Sequence, residues 1–412
     1  MGRGLWNRPD FLKLWAGQTI SLFGSSVTDL AFPLTAVMLL GATPFQMGVV
    51  HAAQYAPFLL LGLFAGVWVD RLRRRPLLIA ADLGRALLLG SVPVAAILGV
   101  LRLEYLYVVA FTVGVLTVLF DVAYLAYVPT FVPRDALPDA NGKLEASRSL
   151  AQTAGPALAG AVVQLTTAPV AMAVDAVSFV ASAAAVGLIR TVESAPVALR
   201  SAGGRVVGWS VRDDIGEGLR LTVRDPVLRA LAGQIATLQL AGGINGALFV
   251  LFAIRELRLT PVALGVVTSV FGVVALLTSL VLGRVVTRFG ERRTLVGSLL
   301  LTGMGNVCIP LAGLVPAGAV PLLLTRAAIH GIAGPAFNVA SVSLRQRVVP
   351  DRLQGRVSAT IRFVGWGMLP LSALAGGLLG ERLGLLGALT VATCVSLTTF
   401  LWPLLVMPRT AE

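Results

Sequence analysis

The feature that most constrains this sequence is an internal repeat. The tripeptide Ala-Gly-Gln at residues 16–18 returns at residues 232–234, and Ala-Leu-Ala-Gly at 157–160 returns at 373–376. Both matches have an offset of about 216 positions, and similarity at a fixed offset is typical of a duplicated architecture. The chain has 412 residues. We therefore expect its two halves to fold as two copies of one unit.

The repeats are too apolar for a water-soluble protein. Hydrophobic residues make up 56% of the chain and charged residues only 13%, which leaves little polar surface to face water. A helix needs about 20 apolar residues to cross a bilayer. The apolar runs then predict twelve spans, at 11–40, 45–69, 76–100, 105–131, 145–167, 169–189, 227–254, 261–286, 294–314, 319–344, 354–380 and 384–407. The sequence thus predicts an all-α membrane protein with two pseudo-symmetric six-helix bundles, an organisation typical of secondary transporters.

One long polar segment separates the two halves. We expect an N-terminal bundle at 1–190, a cytoplasmic linker at 191–225 and a C-terminal bundle at 226–412. Apolar residues recur every fourth position in the linker, at Val211, Ile215, Leu219 and Val223. This stripe predicts a short amphipathic helix on the membrane surface. The alternative is a tether that only spaces the halves.

The distribution of charge predicts the topology. The net charge is +13, but the basic residues alternate between successive loops and form no single patch, so we expect no nucleic-acid partner. With a cytoplasmic N-terminus, the outer loops hold only Arg102, Arg255, Arg258 and Arg382. The positive-inside rule then places both termini in the cytoplasm.

Several kinds of chemistry have no motif in this sequence. The connections are too short for a nucleotide-binding domain, and no GxxxxGK[ST] string occurs. The two cysteines fall within spans, so neither a disulfide nor a metal site is indicated. We expect no cofactor and no enzymatic activity, and an ion gradient as the energy source.

A basic motif lies where span two meets the cytoplasmic loop, in the string GVWVDRLRRR that begins at Gly66. Gly66 would allow close helix approach, and Asp70 could bind a helix N-terminus or an arginine in one conformation only. Arg71 and Arg74 belong to the cluster that holds the loop inside. A degenerate copy at 283–293 favours a gate over a plain positive-inside anchor.

Span five carries a second motif, AQTAGPALAG, which contains Gly155, Pro156 and Gly160. Small residues and a proline predict a close, bent helix contact that could act as a hinge. Simple packing is the alternative.

These motifs resemble those of the major facilitator superfamily, whose members carry GxxxDRxGRR after span two and, in exporters, GxxxGPxxGG in span five. This chain has Arg73 at a usual glycine, Thr287 at the second aspartate, and alanine at two glycines of span five. The strings DLGRA at 82–86 and DAVSF at 175–179 look like those of the drug and siderophore branch, which includes enterobactin and macrolide exporters. The resemblance implies the major facilitator fold, a gate role for Asp70, export and a monomer.

Ionisable residues within spans are functional candidates because they are costly in a bilayer. Asp29 corresponds by the repeat to Asn245, and Asp121 corresponds to Asn338. These four positions fall in spans one, four, seven and ten, which line the central cavity in the family. A carboxyl that meets water on alternating sides can load and release a proton, so Asp29 and Asp121 are predicted to couple transport to protons. The alternative is that each is a structural carboxylate.

Arg326 and His330 are four residues apart in span ten and share a helix face. Arg326 could neutralise Asp121 across the cavity, while His330 could bind a proton near neutral pH or serve only a structural role.

Three other charged residues within spans are predicted to be structural. Asp82 and Arg85, three residues apart, should pair on span three. Asp175 is expected near the outer end of span six, where a local cap or snorkelling would satisfy it.

The sequence as a whole favours a proton-coupled antiporter that exports a small amphiphilic compound, drug-like or siderophore-like, by alternating access. It would span the lipid bilayer of a bacterial plasma (inner) membrane. A proton symporter or uniporter for nutrient uptake is the nearest alternative, and a transport-inactive membrane sensor is a more distant one.

Overall fold

The structure is a computed structural model that describes residues 5–191, 193, 219–350 and 353–407. Long α-helices follow one another through these ranges: α1 Pro9–Leu34, α2 Pro44–Arg71, α3 Arg74–Ile97, α4 Leu103–Tyr127, α5 Leu137–Leu165, α6 Ala168–Gly187, α7 Pro226–Arg255, α8 Pro261–Phe289, α9 Glu291–Leu314 and α10 Ala319–Val348. A π-helical stretch, Thr35–Leu39, extends α1. The all-α class is confirmed.

The last long helical stretch, Gln354–Leu397, is interrupted at Gly384, whose φ is 74°. This left-handed conformation suits glycine, because a side chain would be strained there. We label the segments on either side α11 (354–383) and α12 (385–397); the short helix α13 is Leu401–Leu405. Counted within the described residues, α1 to α12 agree with the predicted number of spans.

The helices have the length and polarity that a bilayer requires. Among the described residues, nine helical stretches are long and apolar enough to cross a membrane, and one of them, Gln354–Leu405, contains α11 to α13. Large apolar side chains also lie on the surface; Leu87 and Leu280 are 75% and 73% exposed. Such a surface needs an apolar solvent.

Contacts divide the chain into two compact units. The first unit is drawn from Met1–Ala42, Ala53–Gly204 and Thr260–Ser269, and the second unit from Thr43–Ala52, Arg205–Leu259 and Val270–Glu412. The first turns of α2 therefore belong to the second unit, and those of α8 belong to the first. The domain boundaries drawn from the sequence remain predictions.

Close helix packing organises the first unit. Its main contacts join α1 to α5 and α6, and α3 to α4 and α6. Gly17 and Gly24 lie two turns apart on the face of α1 that meets α6. A Cβ atom at Gly17 would lie 2.8 Å from Ala185 Cβ, and one at Gly24 would lie 2.7 Å from Asp175 Oδ1. Only glycine therefore permits this approach.

The second unit is packed in the same way. Here α7 packs along Gln354–Leu397, and α9 packs against α10. A Cβ atom at Gly376 would lie 2.8 Å from Ile244 Cα, so α11 and α7 approach closely. In the first turns of α2, a Cβ at Gly48 would lie 2.6 Å from the Ala373 carbonyl oxygen.

The beginning of the predicted linker is fixed to the first unit by two carboxylates. Asp10 accepts hydrogen bonds from the backbone N–H groups of Arg190 (3.3 Å) and Thr191 (3.0 Å). Glu193 accepts from the first N–H groups of α3, at Arg74 (2.9 Å) and Arg75 (3.3 Å), and so caps that helix. The predicted amphipathic helix lies partly outside the described residues, which exclude Val211 and Ile215; residues 219–224 are helical.

Candidate functional site

The second unit contains a partly open cavity of about 500 Å³ between α7, α8, α9 and α10. Its lining, as far as the structure describes the chain, combines aromatic rings with amide, hydroxyl, imidazole and guanidinium groups and includes no aspartate or glutamate. The lining residues are Leu238, Gln239, Ala241, Gly242, Asn245, Gly246, Phe249, Val250, Phe271, Thr302, Asn306, Arg326, His330, Gly334 and Phe337. An apolar cavity of this size with a few polar groups is typical of a small-molecule site.

A chain of hydrogen bonds holds the guanidinium of Arg326 in this cavity. Arg326 Nε donates to Asn306 Oδ1 at 3.3 Å, and Asn306 Nδ2 donates to Ser396 Oγ at 2.9 Å. The Arg326 Cζ atom also lies 5.2 Å from the centre of the Phe249 ring, within reach of a cation–π interaction. The pairing of Arg326 with Asp121 remains a prediction.

Two further polar groups of the cavity have spare hydrogen-bonding capacity. Asn245 donates from Nδ2 to the Ala241 carbonyl oxygen at 2.9 Å, within its own helix. Its Oδ1 atom and the Nε2 atom of His330 are buried without a hydrogen-bond partner among the described residues. Both atoms are covered by protein, so each would bond to a ligand only after its side chain turned toward the cavity.

The two residue pairs that correspond by the repeat, Asp29 with Asn245 and Asp121 with Asn338, have different environments. Asp29 and Asp121 in the first unit are exposed, as is Asn338 in the second. Asn245 is buried, with 7% of its surface accessible. The structure thus brings Asn245, Arg326 and His330 to one cavity, but Asn338 is outside its lining.

The predicted pair of Asp82 and Arg85 on α3 is confirmed. The two side chains form an ion pair and are 0% and 5% exposed. The guanidinium lies between two rings, 4.3 Å from the centre of Phe120 and 4.1 Å from that of Phe179. This cation is thus neutralised and covered inside the first unit.

Of the two alternatives expected for Asp175, snorkelling is wrong, whereas a local partner, Ser178 on the same helix, is present. Asp175 lies two turns into α6, is 1% exposed, and accepts hydrogen bonds from Ser178 Oγ at 2.9 Å and Ser25 Oγ at 3.4 Å. It cannot snorkel because Gly24 lets α1 lie directly over it. The pair Gly17 and Gly24, on one face of α1, was the sequence signal for this close cover.

The gate motif is described in part. The side chain of Asp70 lies outside the description, and Arg71 is exposed. The expected close approach at Gly66 is not observed among the described residues, since none of their atoms lies within 4 Å of the position of a Cβ there. Arg74 lies with its Nε atom 3.9 Å from Glu193, a partner that sequence reasoning missed.

The span-five motif makes a close contact within the first unit. A Cβ atom at Gly155 would lie 2.6 Å from Ser26 Oγ, and one at Gly160 would lie 2.5 Å from the Pro261 carbonyl oxygen. Next to Pro156, the backbone N–H of Ala157 donates to Ser269 Oγ of α8 at 2.9 Å. The contact is therefore as close as small residues permit, while its role as a hinge remains a prediction.

Comparison with known proteins places this architecture in a family. The family model for transmembrane secretion effectors matches residues 6–411. The chain belongs to this major facilitator family. It is 30% identical over 385 residues to the multidrug efflux pump Tap of Mycolicibacterium fortuitum, covering 92% of this chain and 90% of that protein. It is 23% identical over 379 residues to macrolide efflux protein A of Streptococcus pyogenes, covering 91% and 90%.

Solved structures agree on the fold. A mutant form of the nucleoside transporter NupG aligns with a TM-score of 0.75 at 14% identity, covering 98% of this chain and 100% of that one. A bacterial homologue of the iron transporter ferroportin, in its inward-facing state, aligns with a TM-score of 0.71 at 18% identity, covering 96% and 98%. The family match and the two efflux relatives confirm the predicted exporter branch of the major facilitator superfamily, and the chain is a multi-pass membrane transporter.

Proposed function

We propose that this transporter is a proton-coupled antiporter that exports a small amphiphilic compound. The observation that carries the proposal is the cavity of the second unit, where three phenylalanine rings face a few polar groups in about 500 Å³. The similarity to multidrug and macrolide efflux proteins supports export.

Protons would be carried by the first unit. Asp29 and Asp121 are exposed residues of helices α1 and α4. Water that enters from alternating sides during the transport cycle would reach their carboxyl groups. Each would be protonated on the outer side and deprotonated on the cytoplasmic side during alternating access. One charge moved across about 150 mV supplies roughly 3.5 kcal/mol, which sustains a gradient of about 300-fold.

The other motifs fit this cycle. Asp70 with Arg71 and Arg74 would latch the cytoplasmic side, and the contact of Gly155, Pro156 and Gly160 would guide the movement of α5. We place the protein as a monomer in the bacterial plasma membrane with both termini cytoplasmic, in accordance with the positive-inside rule.

The test uses inverted vesicles that contain the protein and a pH-sensitive dye inside. Macrolides, siderophores, lipophilic cations and organic acids are added in turn, to wild type, Asp29→Asn and the still titratable Asp29→Glu. Antiport predicts that at least one compound drives protons out, that Asp29→Asn abolishes this flux, and that Asp29→Glu keeps part of it. Proton movement together with the compound would instead indicate symport. Compound movement without protons would indicate uniport, and no movement of either in correctly inserted protein would overturn a transport role.

A further inference from the structure

The cavity of the second unit contains a cation, Arg326, that has no anionic partner among the residues that the structure describes. Arg326 is the only charged residue in the described lining. Among the described residues, no carboxylate lies within ion-pair distance of the guanidinium, and its one hydrogen bond runs from Nε to the neutral amide of Asn306. A guanidinium has five N–H donors. Four of them are therefore left for a ligand.

This arrangement is unusual for a membrane-spanning helix. A charge there is expensive to maintain, and residues of this kind usually pair with an opposite charge or mark a ligand pathway. In the first unit the buried arginine is paired with an opposite charge, since Asp82 forms an ion pair with Arg85. In the second unit, the Phe249 ring and the Asn306 amide only orient the guanidinium. An incoming anion would complete the site.

The neighbouring groups indicate the rest of the ligand. The Oδ1 atom of Asn245 is an acceptor without a partner among the described residues, and a turn of this side chain would present it to a hydroxyl or N–H donor of the ligand. The rings of Phe249, Phe271 and Phe337 suit an apolar or aromatic body. A lipophilic cation would meet the positive guanidinium and, within the described lining, no acidic residue.

We propose that this cavity binds an amphiphilic organic acid, with its anionic oxygen group on Arg326 and its apolar body against the phenylalanine rings. The inference rests on the proposed export function for its role as a transport site. Binding itself can be measured independently of transport.

The experiment uses three ligands with one skeleton: 4-phenylbutyrate, 4-phenylbutyramide and 4-phenylbutylamine. Calorimetry measures their affinity for the full chain in nanodiscs of phosphatidylcholine, which contain no anionic lipid that would compete. A charge-assisted hydrogen bond should favour the acid over the amide and the amine by about tenfold or more. An amine that binds as tightly as the acid, or an acid that does not bind at all, would overturn the proposal without any substitution.

Variants then assign the preference to a residue. Arg326→Gln should reduce the affinity for the acid to that for the amide, and Arg326→Lys should keep part of the advantage. Phe271→Leu, which changes a ring of the lining other than the one that orients the guanidinium, should weaken all three ligands about alike. Acid preference that survives Arg326→Gln in folded protein would contradict the assignment.

Transport of the same ligands separates this inference from the proposed function. If the acid binds through Arg326 but is not transported in proteoliposomes, the binding site is supported and its role in export is contradicted. If other compounds are exported in exchange for protons while the acid binds no more tightly than the amide and the amine, export is supported and the proposed acid site is contradicted.

Discussion

In the first unit the buried guanidinium of Arg85 is paired with Asp82, whereas in the second unit the guanidinium of Arg326 has no carboxylate partner among the described residues. By the repeat, the position equivalent to Arg85 is Thr302, which lines the cavity. The second unit thus has a threonine that lines a cavity at the position where the first unit has the arginine of a buried ion pair.

The close helix contacts, in contrast, are alike in the two units. The first turns of α8 pack at Gly160, and the first turns of α2 pack near Gly377, with a Cβ at Gly377 only 2.9 Å from the Pro44 carbonyl oxygen. The two units thus share close helix packing but differ in how a membrane-embedded charge is held. This difference suggests that the units divide the work, with protons in the first and substrate in the second.

The largest effect should come from breaking the closed pair of the first unit. Arg85→Met leaves Asp82 buried without its cation, and loss of one partner of a buried pair costs about 3–5 kcal/mol. We expect the free energy of unfolding, measured by titration with denaturing detergent, to fall by that amount. Replacing both residues, Asp82→Leu with Arg85→Met, should recover most of the loss. A double variant no more stable than Arg85→Met would show that the pair is not the cause.

A smaller loss of stability should follow from adding a side chain at the close contact between α1 and Asp175 of α6. Gly24→Ala places a methyl group 2.7 Å from Asp175 Oδ1, and overpacking of this kind costs about 1–3 kcal/mol. Gly62→Ala on α2 is the matched control, because no described atom lies within 4 Å of its Cβ position. Equal thermal stability of the two variants would mean that α1 and α6 are not so tightly packed.

The hydrogen bond between Ala157 and Ser269, next to Pro156, should contribute less to stability. Ser269→Ala removes the acceptor for the Ala157 N–H, and a single hydrogen bond is worth about 0.5–1.5 kcal/mol. Ser279→Ala in the same helix is the control, since that hydroxyl donates to the Leu276 carbonyl of its own helix. Faster hydrogen exchange at residues 155–160 in Ser269→Ala alone is the expected result; unchanged exchange would argue against the contact.

The smallest effect on stability is expected at Arg326. Arg326→Met loses one hydrogen bond to Asn306 but separates no ion pair among the described residues, so the cost should be about 1 kcal/mol or less. The same detergent titration checks this value. A loss as large as that of Arg85→Met would reveal a carboxylate partner and remove the contrast between the units.

The sequence was sufficient to locate most helices. Long apolar runs and the prolines Pro44, Pro226 and Pro261, each at the first residue of a helix, mark the spans closely, because helix length in a bilayer is physically fixed. Spacing also placed Arg326 and His330 on one face. Residue spacing within one helix does not determine which neighbouring helix packs on a given face. For this reason the burial of Asp175 beneath α1, the cap from Glu193 and the cavity around Arg326 emerged only from the structure.

The division of work between the units is tested most directly by measuring proton release when 4-phenylbutyrate binds to purified protein. Wild type should bind the acid and release protons. Arg326→Gln should bind the acid only as weakly as the amide, and should release correspondingly fewer protons at an acid concentration that saturates the wild type alone. Asp29→Asn should bind the acid with unchanged affinity but release no protons. Loss of acid binding in Asp29→Asn, or proton release that persists in it, would contradict a proton site in the first unit that is separate from a substrate site in the second.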